Sequence, residues 1–302
     1  MKPSLSINDL DIKSNLRTLG MSELLTHLTE SDLFDVTFHN ERIRPMRGER
    51  AAIVFYEGHK IYVDFWEYNT PTYTEGIYDE NFDLIIKLQH RKQDRSRFHK
   101  TFNRKGIFKD KTVEEKDVFL DKIVPWTFFP SRMMKQFVGH EDELEQLPVE
   151  QLAFFCGMGW KSRKKMEKKM IDAGMEFTRS KQGHRFGKKM KDPVYLHKMR
   201  TSKYGLVLKG RGSHCTEAKN RREIDYMMLK KPILMNYEPH YYNPLVQGEH
   251  YILINENTDF NKIEEEYDLD QIAQNGYKWY LESASPNGVC KTFLQIMQDR
   301  FE

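Results

Sequence analysis

Cysteine is scarce in this 302-residue chain: Cys156, Cys215 and Cys290 are odd in number and far apart. Such spacing fits neither a disulfide framework nor a CxxC metal site, so the three read as reduced and structural. Long apolar runs are also missing. The longest, such as Ala51–Tyr56 and Ile233–Met235, fall far short of the roughly 18 to 20 residues that a membrane-spanning helix needs. Residues 1–19 mix Asp9, Asp11, Lys13 and Arg17 with single aliphatics and lack the unbroken apolar stretch of a secretory signal, which points to a cytoplasmic protein. There is no internal repeat of fixed period and no low-complexity tract.

Aromatic residues are plentiful: 19 Phe, 15 Tyr and 4 Trp, within a hydrophobic content of 39%. A chain with that much apolar surface can offset its ordering entropy, which excludes global disorder. Its length suits two domains of ordinary size.

Charge is unevenly spread. Residues 161–222 hold 20 Lys and Arg against 5 Asp and Glu, so the net +3 divides into +15 there and −12 elsewhere. A basic block inside an acidic protein marks a concentrated site for an anion, either a nucleotide phosphate or a nucleic-acid backbone.

The first half carries short β-branched and aromatic runs at 34–38, 51–56, 60–65, 82–88 and 122–129, which read as strands, with helical spacing at 21–28 and 113–119. An acidic stretch, 141–150, contains Pro148 and reads as a linker or an exposed helix. After it the pattern restarts as βα units: strand 152–156, turn 157–159 and helix 162–173; then strand 204–208, turn 210–213 and helix 217–229. Pro232 stops that helix, strands follow at 233–235 and 251–254, and helices close the chain at 261–266, 269–275 and 289–301. Alternation of this kind predicts α/β architecture with a parallel sheet covered on both faces.

In such a sheet ligands bind at the carboxyl ends of strands, where helix amino termini aim N–H groups at anions. Two junctions there combine glycine with cations: Gly157 and Gly159 with Lys161 and Arg163, and Lys209, Gly210, Arg211, Gly212, Ser213 and His214. A cation at a helix amino terminus opposes the macrodipole, so its placement calls for an anionic partner such as a diphosphate. Neither junction is GxGxxG or GxxxxGK(S/T), which leaves the NAD and P-loop readings without their fingerprints. On the helix after the second junction stand Arg221, Arg222, Glu223 and Asp225. A carboxylate there could accept hydrogen bonds from both ribose hydroxyls.

The order of strand, Gly/Arg turn, helix bearing arginine and an acid, and a Lys-Pro bend into a strand resembles the donor-binding domain of GT-B glycosyltransferases. Within that fold it is most similar to the exostosin-like and protein O-glucosyltransferase branches, whose R-x-x-x-E-A-x-x-x-G-x-x-P run aligns on Pro232. Asp225, or Glu223 in its place, then falls near the family's acid and Lys230 where glycine is usual. The compact form also resembles the glycosyltransferases of large algal DNA viruses, which would place the protein in a host cytoplasm. The resemblance implies two Rossmann-like domains facing each other across a cleft. Residues 1–148 would be the acceptor side, 149–285 the nucleotide-sugar side, and 286–302 a C-terminal helix that can return to the first domain.

It further implies a UDP-sugar donor, xylose or glucose first, transferred to a glycan hydroxyl. Lys161, Arg163, Lys209, Arg211, Gly212, Ser213, His214, Arg221, Arg222 and Asp225 would hold the donor, and Tyr237 the base, without a divalent metal or other cofactor. Two D-x-D strings, at Asp9-Leu10-Asp11 and Asp268-Leu269-Asp270, read as helix caps rather than metal ligands. If the anomeric centre inverts, a carboxylate must take the acceptor proton. Asp64 at the end of a strand is the first candidate, with Glu67, Glu75 and Asp79 behind it, beside the aromatic run 65–68 on which a sugar ring could stack. The run 126–131 at the end of a strand reads as aromatic core in the first place and as a face of the interdomain cleft in the second. Two other classes compete: a nucleic-acid binder using the basic block, and a sulfotransferase-like nucleotide enzyme.

Overall fold

The structure is a computed structural model. It describes residues 1–8, 21–40, 51–64, 81–87, 99, 110–127, 130–131, 134–141, 144, 147–157, 164–179, 192–208 and 221–302. The chain forms two compact units. One comprises Met1–Thr127, His240–Asn243 and Pro286–Glu302; the other comprises Phe128–Pro239 and Pro244–Ser285.

The first unit holds β1 (Ser4–Asn8), α1 (Met21–Glu30), β2 (Asp35–His39), β3 (Ala51–Tyr56), β4 (His59–Asp64), β5 (Leu84–Lys87), α2 (Val113–Asp121) and β6 (Ile123–Pro125). Its strands form one six-stranded sheet in the order β2-β1-β3-β4-β5-β6. All neighbours are parallel except β3, which runs antiparallel to both β1 and β4. The antiparallel step has a local cause. Glu57 and Gly58, at φ 46° and 86°, make a two-residue turn with both centres left-handed, the geometry that matches the twist of a hairpin. The sheet is therefore mixed, where the βα rhythm of the sequence suggested a parallel one.

One face of this sheet packs Ala51, Ile53, Tyr62, Ile85 and Ile123 against Phe119 and Leu120 of α2. The start of α2 is fixed by a capping box: the Glu115 N–H donates to Thr112 Oγ1 at 3.2 Å, and the Thr112 N–H to Glu115 Oε2 at 2.7 Å. Strand β1 was not read from the sequence, because SLSIN is short and its apolar residues are only Leu5 and Ile7.

The second unit holds β7 (Gln151–Gly157), α3 (Lys164–Asp172), β8 (Glu176–Arg179), α4 (Asp192–Thr201), β9 (Ser202–Val207), α5 (Arg221–Met228), β10 (Ile233–Met235), β11 (Ile252–Leu253), α6 (Ile263–Glu266) and α7 (Leu269–Ser283). Its sheet runs β11-β10-β9-β7-β8 with every pairing parallel. Counted within the sheet from β8, that is the order 2-1-3-4-5 of flavodoxin-like doubly wound sheets. Ala153, Phe155, Tyr204 and Leu206 point to the face covered by Met166 and Met170 of α3 and Ile272 of α7. On the other face Phe154 meets Tyr195 of α4, ring centroids 5.4 Å apart, and Gly205 meets Tyr226 of α5. Helices thus cover both faces, and the strands are buried runs, as a parallel sheet requires.

Helix α8 (Pro286–Phe301) belongs to the first unit. It buries Val289, Cys290, Phe293, Ile296 and Met297, a helical stripe, with Phe293 edge-on to Phe34 at 5.9 Å. The Cys290 thiol is buried and pushed up to about 11 by that burial, which suits an inert packing cysteine.

Within the acidic stretch 141–150, the described residues 141, 144 and 147–150 belong to the second unit. The units divide at Thr127 and Phe128, and Glu141 accepts a 2.7 Å hydrogen bond from the Tyr280 hydroxyl inside the second unit while Leu144 is buried. Its acids and Pro148 marked a surface connection, which is compositionally like a boundary. Among the described residues no helix is long and apolar enough to cross a membrane.

Candidate functional site

Strands β7 and β9 are adjacent, and the order of the second sheet reverses between them. In open α/β sheets the ligand crevice lies outside the carboxyl ends of such a pair. The segments that follow those ends in the chain, 158–163 and 209–220, are the two glycine- and cation-rich junctions of the sequence. Lys161, Arg163, Lys209, Arg211, Gly212, Ser213 and His214 lie outside the described residues, as do Glu67, Glu75 and Asp79 of the first unit.

Helix α5 starts after the second junction and is drawn close to β9 by Gly205, where a Cβ would stand 2.4 Å from Tyr226 Cγ. The Tyr226 hydroxyl donates to the Phe154 carbonyl of β7 at 3.2 Å. The helix ends in a Schellman motif: the Lys231 N–H bonds the Tyr226 carbonyl and the Lys230 N–H the Met227 carbonyl, both at 3.0 Å. Lys230, just past the helix end, has φ 52°, a left-handed conformation adopted without the glycine that favours it. Its ammonium lies 4.3 Å above the Tyr277 ring. Lys230→Gly should raise stability by up to about 1 kcal/mol, the left-handed cost outweighing the cation–π contact. A lowered urea midpoint would reverse that order.

Four α5 residues were named from the sequence. The guanidinium of Arg222 stacks 4.8 Å from the Phe155 ring and 5.9 Å from that of Tyr195, which anchors it by its flat face. Arg221 stands in the first turn beside Asp225. Glu223 is fully buried and accepts a hydrogen bond from the Tyr237 hydroxyl. Asp225, 1% exposed, accepts the backbone N–H of Ser131 at 2.7 Å. The acids on this helix are therefore engaged by the chain itself, Asp225 tying down Ser131 and Glu223 tying down Tyr237, two residues past β10. Further along, the Tyr242 hydroxyl donates to Asp299 and the Asn243 amide to Thr292 Oγ1, so the run 237–242 divides between the two units.

Burial pushes the Asp225 carboxyl up to about 6, against the pull of its Ser131 hydrogen bond and of Arg221 and Arg222. Between the unfolded value near 3.8 and 6 the folded protein holds a proton that the unfolded chain has lost. The stability contributed is complete below the lower value and is lost as pH rises through the upper one, about 3 kcal/mol in all. Asp225→Asn keeps an acceptor for the Ser131 N–H but cannot titrate. Urea melts at pH 4 and pH 7 should show that decline in the wild type and not in the variant; parallel profiles would mean that Asp225 titrates normally.

The first unit presents a second polar group at a carboxyl edge. Asp64 and Lys87, the last residues of β4 and β5, are register partners, and Lys87 Nζ lies 3.2 Å from Asp64 Oδ1 with both side chains at 0% exposure. Asn8 ends β1 and Thr127 follows β6, both buried. Lys87 and Asn8 were not named from the sequence. A lysine closing the apolar run LIIK was the available signal, since a buried strand rarely ends in a buried cation without a partner.

Trp126 is fully buried and edge-on to Phe293 at 6.4 Å, as aromatic core. Asp268 caps α7, accepting the Gln271 N–H at 3.0 Å, as its D-x-D string was read; Asp9-Leu10-Asp11 lies outside the described residues. Among the described residues no group of three or more His, Cys, Asp or Glu could hold a metal ion. No protein-family model matches the chain, and no curated protein matches it significantly.

Proposed function

We propose that the protein is a glycosyltransferase of the GT-B type, with two Rossmann-like domains, that moves xylose or glucose from a UDP-sugar to a hydroxyl of a glycan without a divalent metal. The observation that carries this reading is the position of the two basic glycine junctions. Each follows one of the two adjacent strands, β7 and β9, between which the strand order reverses. The cations of these two segments would compensate the negative charge released with a diphosphate leaving group. The helix that follows carries Arg221 and Arg222 in its first turn, and Tyr237 stands just past β10 for the base.

UDP at millimolar concentration should raise the melting temperature by several degrees through preferential binding to the folded state. Single-stranded DNA should leave it unchanged, and adenosine 3′,5′-bisphosphate should do less than UDP. Stabilisation by DNA alone would favour the nucleic-acid reading, and stabilisation by the bisphosphate over UDP the sulfotransferase one.

A further inference from the structure

Among the described strands four are edges: β2 and β6 in the first unit, β8 and β11 in the second. An edge presents a row of peptide groups that can pair with another chain, so edges commonly carry a device against it. Strand β6 ends in Pro125, which has no N–H to offer. On β8, Glu176 is held by Lys198 of α4. Strand β11 has only two residues. Strand β2, DVTFH, carries none of these devices: it has five residues, neither proline nor lysine, and Phe38 is 56% exposed.

The direction of its peptide groups follows from the ladder. Strands β1 and β2 are parallel, and the Asp35 N–H donates to the Pro3 carbonyl at 2.9 Å. Alternate residues of a strand aim their peptide groups to the same side, so those of Asp35, Thr37 and His39 face β1 and those of Val36 and Phe38 face outward. Side chains alternate as well. Val36 and Phe38 are the register partners of Leu5 and Ile7, both fully buried, so two apolar rows run out to this edge without a polar residue to close them.

We propose that β2 pairs antiparallel with β2 of a second copy of the chain, about a two-fold axis through Thr37, joining two six-stranded sheets into one. The strand's own sequence selects this occupant. Turned on itself about Thr37, DVTFH sets Asp35 opposite His39, Val36 opposite Phe38 and Thr37 opposite its own copy. An acid then meets an imidazole rather than a second acid, and each apolar side chain meets another. Val36 and Phe38 form the hydrogen-bonded pairs, because theirs are the peptide groups that face outward, and Thr37 falls on a close, non-hydrogen-bonded pair. His39 keeps its contacts within the first unit: its ring is edge-on to Phe55 at 4.9 Å, and Nε2 lies 3.3 Å from the Ile53 carbonyl. An interface built on one short strand belongs to the small, transient class. It is independent of the transferase reading.

Sedimentation of the full chain should show a monomer–dimer equilibrium between about 5 and 200 µM, the range of a small transient interface. Phe38→Lys changes an exposed side chain and should weaken dimerisation at least tenfold. Thr37→Cys tests the register. Residues opposed in a non-hydrogen-bonded pair have Cα atoms about 4.5 Å apart, within disulfide reach, so copper-phenanthroline should link two copies of this variant. Asp35→Cys, also at an exposed position but facing His39, should not link, and neither should the wild type with its own three cysteines. A chain that stays monomeric throughout, a Phe38→Lys variant that dimerises like the wild type, or Asp35→Cys linking as fast as Thr37→Cys would overturn the proposal.

Discussion

Gly205→Ala should destabilise the protein by about 3 kcal/mol or more, enough to prevent accumulation of folded protein at 37 °C. The added methyl would stand 2.4 Å from Tyr226 Cγ and 2.8 Å from both Cβ and Cδ2, and real Cβ atoms do not approach other heavy atoms so closely. The contact is not the far end of a flexible chain. Tyr226 is fully buried, its ring is held near the backbone, and its hydroxyl is engaged by the Phe154 carbonyl, so relief requires α5 to lift from β9. Urea denaturation gives the direct measurement. Adding Tyr226→Ala should recover part of the loss, so that the double variant falls less than the sum of the singles. An unchanged midpoint for Gly205→Ala would mean that the helix does not approach the strand at this distance. Arg221, Arg222, Glu223 and Asp225 all ride on α5, so UDP stabilisation should weaken in any folded Gly205→Ala protein as well.

Asp64→Asn should lower transfer by about 100- to 10,000-fold, the range that a positioned general base contributes, while UDP still raises the melting temperature. The amide keeps the shape of the side chain and cannot take a proton at neutral pH. Because Asp64 belongs to the first unit and the basic junctions to the second, donor binding and transfer should separate in this variant. Retained transfer would move the base to Glu67, Glu75 or Asp79.

The second unit was the more legible of the two, for a physical reason. Buried parallel strands write themselves as apolar runs, and QLAFFCG and SKYGLV alternate with helices whose ends carry Gly174 and Pro232. Strand β8 and helix α4 were missed: EFTR has one large apolar residue, and α4 contains Pro193 and lacks an amphipathic stripe. In the first unit every strand but β1 was found, but their directions were not. A strand's hydrophobic pattern is the same whichever way it runs, and only the two-residue turn at Glu57 and Gly58 reverses β3 against β4. Asp64 was legible as a polar residue closing a buried strand. Lys87 closes the apolar run LIIK in the same way, but its pairing with Asp64 was not legible, because pairing between strands 20 or more residues apart leaves no local trace.

The first unit is discontinuous in the chain: its helix α8 comes after the whole of the second unit. During synthesis at roughly 5 to 20 residues per second, the sheet of Ser4 to Pro125 must wait roughly 10 to 30 s for Phe293 and its neighbours to emerge. Until then Leu24, Leu25, Leu28 and Phe34 lack part of their apolar cover, while the inserted unit can already close on itself. Truncation before Pro286 should therefore injure the amino-terminal half and spare the nested one, the reverse of what linear order suggests.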